Sequence, residues 1–528
     1  MKRLMIGLVV ILFLTCFSGC EKGSKILGGG GTDEDFEKTF DIYTPMERVR
    51  TLNPFCSLDK DSYYFGKLVY EGLYYSDKKL ETKRSLVESE TFEDGAVTLK
   101  LKEGVKWHDG HILSAADVKF SISCYKEGNG LYKSTVDKID TVRVIGNSSI
   151  RIKFKNDKDA ALANLTFPIL PKHIFKSVSA AVTAEEDFIP VGTGRYKVKS
   201  FDFVRGIVLD GFQDFHGGTV PQNRIHFRVI PSEYDAVNMM GIESMSLMFS
   251  ENQDRESIFS NRDVRINDFC GNSFEAIGFN MKSPVTGNID VRKAVAYSIN
   301  PKEIIKKAYY GNGIMNKNIY YPGYLNTDSE SPMFEKNINK AKKYLNKAGY
   351  HDIDKDGVME NAAKEKIRIR ILVSQSNPTR AVAAGIISEQ LKKAKIESVV
   401  ENVSFNDFYS KLTAGDYDIF IGGYAIQENY DLRFLLHGDY NNPIFYNSNK
   451  VNGLLDDMQT CKSDESKKDD YIKLSTIIKQ DIPYYCILYK TFGAVTSENM
   501  SDNISPTPFD HFRGSEKWFC LFPKKREE

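Results

Sequence analysis

The spacing of apolar residues in the N-terminal third predicts a sheet with a helix packed on it. Two segments alternate apolar and polar positions with the period of a half-buried strand, and their apolar members are Val97, Leu99 and Leu101, then Ile150, Ile152 and Phe154. A segment between them has apolar residues at helical spacing, at Ala115, Val118, Ile122 and Tyr125. Ser114 and Asp117, at the start of this helix, have the spacing of a capping box.

Residues 367–423 alternate strand and helix signals in a regular order. The strand signals are Ile367, Ile369, Ile371 and Val373, then Val399 and Val400, then residues 417–421. The helical stripes between them are Ala384, Ile387, Leu391 and Ala394, then Phe405, Phe408, Tyr409 and Leu412. This order predicts a βαβαβ unit with a mainly parallel sheet. Because ligands collect at the carboxyl ends of such strands, the loop 422–431 is a predicted binding site.

A helical hairpin and one further helix are predicted before this unit. The first helix of the hairpin has an apolar stripe at Val291, Ala294, Val295 and Ser298. Asn300 and Pro301 then suit the N-cap and N1 positions of the second helix. The further helix has its stripe at Ala341, Tyr344, Leu345 and Ala348, and Gly349 suits its C′ position.

The first twenty residues have the pattern of an export signal. Lys2 and Arg3 precede an apolar run that is shorter than the ~20 residues of a membrane-spanning helix. The run ends in small residues before Cys20, which resembles a lipoprotein cleavage site. We therefore expect residues 1–19 to be removed and Cys20 to anchor the protein by lipid on the extracytoplasmic face of the cell membrane. Ordinary secretion with cleavage nearby is the alternative.

Composition and charge limit what the remaining chain does. Residues 20–38 are Gly-rich and predict a flexible tether, which leaves roughly 490 residues, or about three average domains. The chain has 71 basic and 71 acidic residues, and loss of the signal brings the mature protein near −2. A protein without net positive charge has no field to attract polyanions, so we expect no nucleic-acid partner.

The cysteine spacings match no metal site or redox pair. An exported compartment permits disulfides, but residues this scattered predict buried free thiols instead. Besides Cys20, the mature chain contains Cys56, Cys124, Cys270, Cys461, Cys486 and Cys520.

Two groups of potential metal ligands are interpreted as structural. His108 and His111 flank a turn signal, and we expect no metal there. Ala363 stands where a twelve-residue calcium loop needs a bidentate Glu, so an acidic surface hairpin is preferred over calcium for Asp352, Asp354 and Asp356. The chain also lacks the common hydrolase, metalloprotease and nucleotide-binding motifs. We expect neither an enzyme nor a cofactor.

Several blocks, in the right order along nearly the whole chain, resemble the peptide- and nickel-binding family (family 5) of solute-binding proteins of ABC importers. The most specific block contains Gly104, Val105, Lys106, Trp107, His108, Asp109 and Gly110, followed by Ala116, Asp117 and Val118. A second block runs through residues 190–196, with Arg195 where the family has a second Pro. Later blocks are Gly278, Phe279 and Asn280; residues 290–295; residues 389–396; residues 415–418; and Tyr446 with Asn447.

The resemblance implies an α/β, two-lobed type II periplasmic-binding-protein fold, in which a two-strand hinge joins the lobes and an extra small domain is present. The lobes of such proteins close over the ligand by hinge motion. The implied domains are lobe I at 39–75, 190–276 and 489–528, the extra α+β domain at 76–189, and lobe II at 277–488.

The resemblance also implies ligand contacts, at positions where this sequence departs from the family. Peptide-binding relatives hold the ligand's ammonium with an Asp after the third strand, where Gln427 stands here, with Glu428 beside it. Either Glu428 turns inward after a one-residue shift, or the ligand is not held by a free N-terminus. The dipeptide binders have an Arg after the first strand, where residues 374–376 provide none. The expected binding residues are Tyr424, Gln427, Glu428, Asn429, Phe279, Asn280 and Asn447.

We therefore expect a monomeric lipoprotein that captures peptides longer than two residues and delivers them to the permease subunits of an ABC importer. Three alternatives stay open: the same fold binding a nickel chelate, the same fold acting as a receptor for signalling peptides, and a lipoprotein enzyme.

Overall fold

The computed structural model describes residues 36–93, 95–185, 188–202, 204–240, 245–326, 332–460 and 464–523. The predicted signal peptide, Cys20, most of the tether and Cys461 lie outside these residues. Residues 39–520 form one compact unit, and the described residues 36–38 and 521–523 belong to a second. None of the helices in the described ranges is long and apolar enough to span a bilayer.

Strands and helices are mixed along the whole of the described chain. The strands are β1 Phe36–Thr39, β2 Asp41–Met46, β3 Tyr74–Ser76, β4 Thr82–Arg84, β5 Val87–Glu93, β6 Ala96–Leu101, β7 Ile139–Val144, β8 Ser149–Phe154, β9 Tyr196–Asp202, β10 Gly206–Gly211, β11 Arg224–Val229, β12 Leu247–Ser250, β13 Val264–Phe279, β14 Gly313–Ile314, β15 Arg368–Ser374, β16 Glu397–Val403, β17 Ile419–Ala425, β18 Tyr484–Ser497 and β19 Cys520–Pro523. The helices are α1 Lys60–Val69, α2 Ala115–Glu127, α3 Lys133–Val136, α4 Val178–Val182, α5 Glu233–Met239, α6 Arg255–Ile258, α7 Ile289–Ser298, α8 Pro301–Ala308, α9 Ile338–Lys347, α10 Pro378–Lys393, α11 Phe405–Ala414, α12 Arg433–Leu436, α13 Asn449–Met458 and α14 Asp464–Asp481.

The largest sheet has the strand order β12-β18-β13-β17-β15-β16, with β14 added on β18. Its parallel part is the predicted βαβαβ unit, because β15 runs parallel to both β16 and β17. The long antiparallel strands β13 and β18 extend the sheet from this unit to β12. The lobe boundaries expected at residues 276/277 and 488/489 fall inside β13 and β18, respectively. Each of these strands therefore extends from one expected lobe into the other.

The N-terminal elements form smaller sheets. One has the order β5-β6-β8-β7, and α2 packs on β7 and β8, which confirms the predicted sheet with its helix. The N–H of Ser114 donates to the Asp117 carboxylate over 2.8 Å, as the capping box requires. Another sheet has the order β2-β11-β10-β9. The tether was expected to reach residue 38, but Phe36–Thr39 already pair with β19.

The two most specific sequence blocks are joined around His108. The ring Nε2–H of His108 donates to the Gly194 carbonyl over 2.9 Å, and Nδ1 accepts from the Gly192 N–H over 3.1 Å. Gly192 and Gly194 press against the backbone of Val69 so closely that a Cβ on either would overlap it. These residues therefore hold segments of the fold together, and His108 is not free to bind a metal.

Other local predictions are confirmed. α7 and α8 form the predicted hairpin, and Gly349 follows α9 at a φ of 88°. Cys124, Cys486 and Cys520 are buried free thiols, as predicted, whereas the free thiol of Cys56 is only half-buried. In the acidic turn, Asp352 and Asp356 form ion pairs with lysines on neighbouring segments, which fits the surface hairpin.

A buried histidine stacks on α1 near the C-terminal end of the chain. His511 is 2% exposed, its ring lies 3.6 Å from that of Tyr64, and Phe249 and Phe269 pack around it. Burial, and to a smaller degree the charge of Lys60, hold its pKa well below the usual 6.5. The imidazole is therefore neutral in the folded protein.

We predict that His511 contributes to acid sensitivity. An unfolded histidine takes up a proton near its ordinary pKa of ~6.5, whereas folded His511 does not. The contribution of His511 to the free energy of unfolding is therefore complete above that pH. As the pH falls below it, stability decreases by about 1.4 kcal/mol per unit. A His511→Phe variant should show a shallower fall in unfolding free energy between pH 7 and 5 in denaturant titrations. The control is His351→Gln, an exposed histidine. Equal slopes for His511→Phe and the parent would contradict the prediction.

Candidate functional site

A cavity of about 480 Å³ lies between α1, the middle of β13 and the end of β17, within the range of pockets that hold small ligands. One side is formed by α1 and the segments after α2, with Tyr63, Tyr64, Leu131, Tyr132, Thr135, Ala163 and Thr166. The other side is formed by the large sheet and the loop after β17, with Asn272, Ser273, Ala425, Ile426, Gln427, Glu428, Asn429 and Phe492. Leu58, Lys60, Glu251 and Phe509 complete the lining.

The loop after β17 is fixed to β13 before it crosses the cavity. The N–H of Ile426 donates to the Asn272 carbonyl over 2.8 Å, and the Asn272 amide donates back to the Ile426 carbonyl over 3.3 Å. The loop then turns at Tyr430, whose φ of 52° is unusual for a residue with a Cβ. This backbone presents Gln427, Glu428 and Asn429 to the cavity, as the βαβαβ argument predicted for this loop.

Glu428 is turned inward and already has a cationic partner. Its side chain is 9% exposed, and Oε1 accepts hydrogen bonds from Lys67 Nζ at 2.6 Å and from the Tyr63 hydroxyl at 3.3 Å. Burial, and then the charge of Glu428, raise the pKa of Tyr63 well above 10, so its hydroxyl stays protonated and donates. The carboxylate is thus neutralised by a lysine from α1.

The other charges of the lining are paired as well. Lys60 Nζ lies 2.5 Å from the Glu251 carboxylate at the opposite part of the cavity. Gln427 is exposed to the cavity, and no hydrogen bond among the described residues uses its carboxamide. The groups left for a ligand are therefore neutral amides and hydroxyls between aromatic rings.

A second cavity of about 430 Å³ adjoins the first and shares Tyr132, Thr166 and Glu428 with it. The Lys67–Glu428 pair thus lies at the boundary of the two cavities.

The residues after Glu428 fasten the loop to three N-terminal segments. The Asn429 amide donates to Asn164 over 2.9 Å, and Lys138 lies 2.9 Å from Asp431. Arg433, whose side chain is only 2% exposed, lies 2.6 Å from Asp159 and 2.7 Å from Asp431. Burial alone would raise the pKa of Asp431, but the hydrogen bond from Arg433 and the charge of Lys138 lower it to about 2.

Four of the expected binding residues lie elsewhere. Tyr424 packs against Phe274, Phe434 and Tyr484. Phe279 is fully buried in the core, and the Asn280 amide donates to the carbonyls of Gly415 and Tyr417. Asn447 is exposed and accepts from Asn452. None of the four belongs to the lining of the 480 Å³ cavity.

Sequence analysis missed the residues that face this loop. Tyr63 and Lys67 lie in α1, where the sequence shows no functional motif. Asn272 and Ser273 lie in the middle of β13. The spacing of α1 puts Tyr63 and Lys67 one turn apart on one face, but only the fold brings that face to Glu428.

Comparisons with known proteins extend these observations. A family model described as bacterial extracellular solute-binding proteins, family 5 Middle, matches residues 81–444. The oligopeptide-binding protein AppA of Bacillus subtilis is 27% identical over 537 residues, covering 98% of this chain and 98% of that protein. The structure of AppA in complex with a nonapeptide has a TM-score of 0.63 at 24% identity, covering 91% of this chain and 98% of the other. NikZ from Campylobacter jejuni, in complex with Ni(L-His), has a TM-score of 0.64 at 21% identity, covering 90% and 99%.

We predict that Arg433 stabilises the closed arrangement of the loop. Arg433→Leu leaves the buried Asp159 without this cation and Asp431 with Lys138 alone, and breaking a buried pair in this way costs about 3 to 5 kcal/mol. Denaturant unfolding should therefore show a clear loss of stability. Arg205→Leu is the matched control, because Arg205 is exposed and lies 3.9 Å from its only described acidic neighbour, Asp202. A loss no larger than in this control would contradict the role of Arg433.

Proposed function

This chain belongs to the family 5 bacterial extracellular solute-binding proteins, and from that premise we propose that it captures oligopeptides and delivers them to the permease of an ABC importer. The fold is the expected two-lobed α/β fold, with β13 and β18 joining the lobes. The similarity to an oligopeptide-binding protein extends over nearly the full length of both chains.

The lining of the 480 Å³ cavity is the observation that carries the peptide assignment. Gln427, Asn272 and Ser273 offer amide and hydroxyl groups that match the amides of any peptide, and the tyrosines of α1 offer apolar surface with polar tips. Side chains of the ligand can be left to water, which replaces a fitted partner at modest cost. Such a site suits a receptor for peptides of varied sequence.

The ligand is longer than a dipeptide. A dipeptide has one amide and depends on its two terminal charges, whereas the charged residues of this lining are engaged with each other. Gln427, Glu428 and Asn429 form one end of the site, and a longer backbone spreads its contacts along the cavity.

A nickel chelate is the weaker alternative. NikZ shares the fold at 21% identity, but nickel favours imidazole ligands, and the described residues that line the 480 Å³ cavity include no histidine.

The protein works at the extracytoplasmic face of the membrane, held by a lipid on Cys20 and free to turn on the tether as a monomer. This part of the proposal rests on the sequence of the first twenty residues, where a short apolar run follows two basic residues and ends at Cys20.

We expect the Cys20→Ser variant to leave the membrane fraction. We also expect this variant to carry bound peptides longer than two residues, which native mass spectrometry of gently purified protein identifies. The parent protein, fractionated in parallel, is the control for anchoring. A variant that stays with the membranes contradicts the lipid anchor. Calorimetry that detects binding of histidine-chelated nickel, but of no tri- to octapeptide, contradicts the peptide assignment.

A further inference from the structure

We propose that this site binds its peptide without gripping a charged chain end, because Lys67 occupies the place that a ligand's ammonium would take on Glu428. The inference rests on the proposed function and specifies its substrate: peptides held by internal amides, including those with blocked ends.

The geometry of Glu428 leads to this conclusion. The Lys67 ammonium and the Tyr63 hydroxyl both bond to Oε1, and the Lys67 side chain is only 18% exposed. A ligand ammonium that approached Glu428 would meet a carboxylate already neutralised, with a like charge beside it. Placing a desolvated cation there is unfavourable unless Lys67 moves away.

The rest of the lining offers no substitute. Its charged residues are Lys60, Glu251 and Glu428, and each has an opposite charge within 2.6 Å. Arg380, in the first turn of α10, is not part of this lining, and it is hydrogen-bonded to the buried Glu275 through two nitrogens, at 2.7 and 3.1 Å. The described lining of the 480 Å³ cavity therefore has no spare cation or anion for either end of a peptide.

The test compares one peptide sequence in three forms: free, N-acetylated, and both acetylated and C-amidated. We expect calorimetry to find affinities within about threefold of one another for the parent protein. A tenfold or greater loss on acetylation would overturn the inference while leaving the peptide function intact. Absence of binding by all three forms and by other peptides would overturn the function itself.

A variant provides the reciprocal measurement. Lys67→Met removes the internal cation, so Glu428 should now prefer the free peptide over the acetylated one by tenfold or more. Lys106→Met is the matched control, since Lys106 pairs with Asp214 on an exposed surface outside the cavity, and it should keep the behaviour of the parent. Thermal unfolding checks that the Lys67→Met protein is folded. If this folded variant shows no preference for the free over the acetylated peptide, Glu428 is not an ammonium site that Lys67 occupies.

A separate cluster carries a second inference, which departs from our expectation that no metal binds at the turn around His111: we infer that Asp109, His111 and His173 form a surface site for a divalent transition metal such as Zn²⁺. Their ligand atoms all lie within 4.8 Å of one another. His111 Nδ1 is 3.2 Å from one Asp109 oxygen, and His173 Nε2 is 2.7 Å from the other. The two imidazole rings lie 4.0 Å apart.

The cluster is built on two segments that the fold fixes in place. The first segment is the turn at residues 107–111, which carries Asp109 and His111. It is closed by a hydrogen bond from the Trp107 N–H to the His111 carbonyl at 2.8 Å, and Gly110 makes the turn at a φ of 92°. His173 lies in the 3₁₀ turn Lys172–Ile174, where the Lys172 N–H donates to Asp117 over 2.8 Å. Because Asp117 also caps α2, both segments are held near the start of the same helix.

The donor set favours zinc or a similar metal over calcium. Two imidazole nitrogens and one carboxylate oxygen are typical of sites that leave a coordination position open to water, whereas calcium and magnesium require mainly oxygen ligands. The three side chains are open to solvent, so an ion has a direct path.

We expect Zn²⁺ added to metal-free, untagged protein to bind at one site in calorimetry and to raise the melting temperature, because a ligand bound to the folded state stabilises it. His111→Gln and His173→Gln should each weaken binding tenfold or more, while His351→Gln, which replaces an exposed histidine elsewhere, should not. Binding that survives both ligand variants, or a preference for Ca²⁺, would overturn this assignment.

Discussion

The buried carboxylate of Glu275 fixes the point from which the loop after β17 starts. Glu275 is fully buried in β13, and it pairs with Arg380 at 2.7 Å and with Lys490 of β18 at 2.8 Å. Burial alone would raise its pKa, but the hydrogen bond from Arg380 and the charge of Lys490 keep the pKa below its usual range. Gly423 of β17 faces this group, and a Cβ there would overlap both Arg380 and Glu275. One ion cluster therefore ties β13 and β18 to the βαβαβ unit and sets the point at which the loop leaves β17.

From that point the loop is held by a chain of polar contacts to distant segments. Glu428 reaches α1, Asn429 reaches Asn164, and Arg433 reaches Asp159. Buried pairs of this kind add little net stability compared with apolar packing, but they are costly to break one partner at a time. They thus define one arrangement of the loop more than they stabilise the whole fold.

The local parts of this architecture could be predicted from sequence, and the long-range ones could not. The βαβαβ unit and α2 with its capping box are encoded in periods of two and 3.6 residues, so short windows were sufficient. The Lys67–Glu428 pair joins residues 361 positions apart, and the Asp109–His173 contact joins residues 64 apart; no local pattern specifies either. Tyr424 was expected at the ligand, but it pairs with Phe274 in the register of β13 and β17, which directs its ring to the core cluster.

A cavity whose charges are already balanced has a consequence for capture and release. The free-energy cost of closure is the difference in free energy between the open and closed states of a binding protein. A ligand shifts this equilibrium by the difference between its affinities for the two states. Here the loop closes on α1 and on residues 138–164 through the protein's own ion pairs, so the closed arrangement does not need a ligand charge to complete it. The ligand then contributes through amide contacts and apolar burial, which vary little with sequence. In the proposed function, closure and specificity are thereby separated: ion pairs of the chain hold the loop, and neutral groups of the cavity hold the peptide.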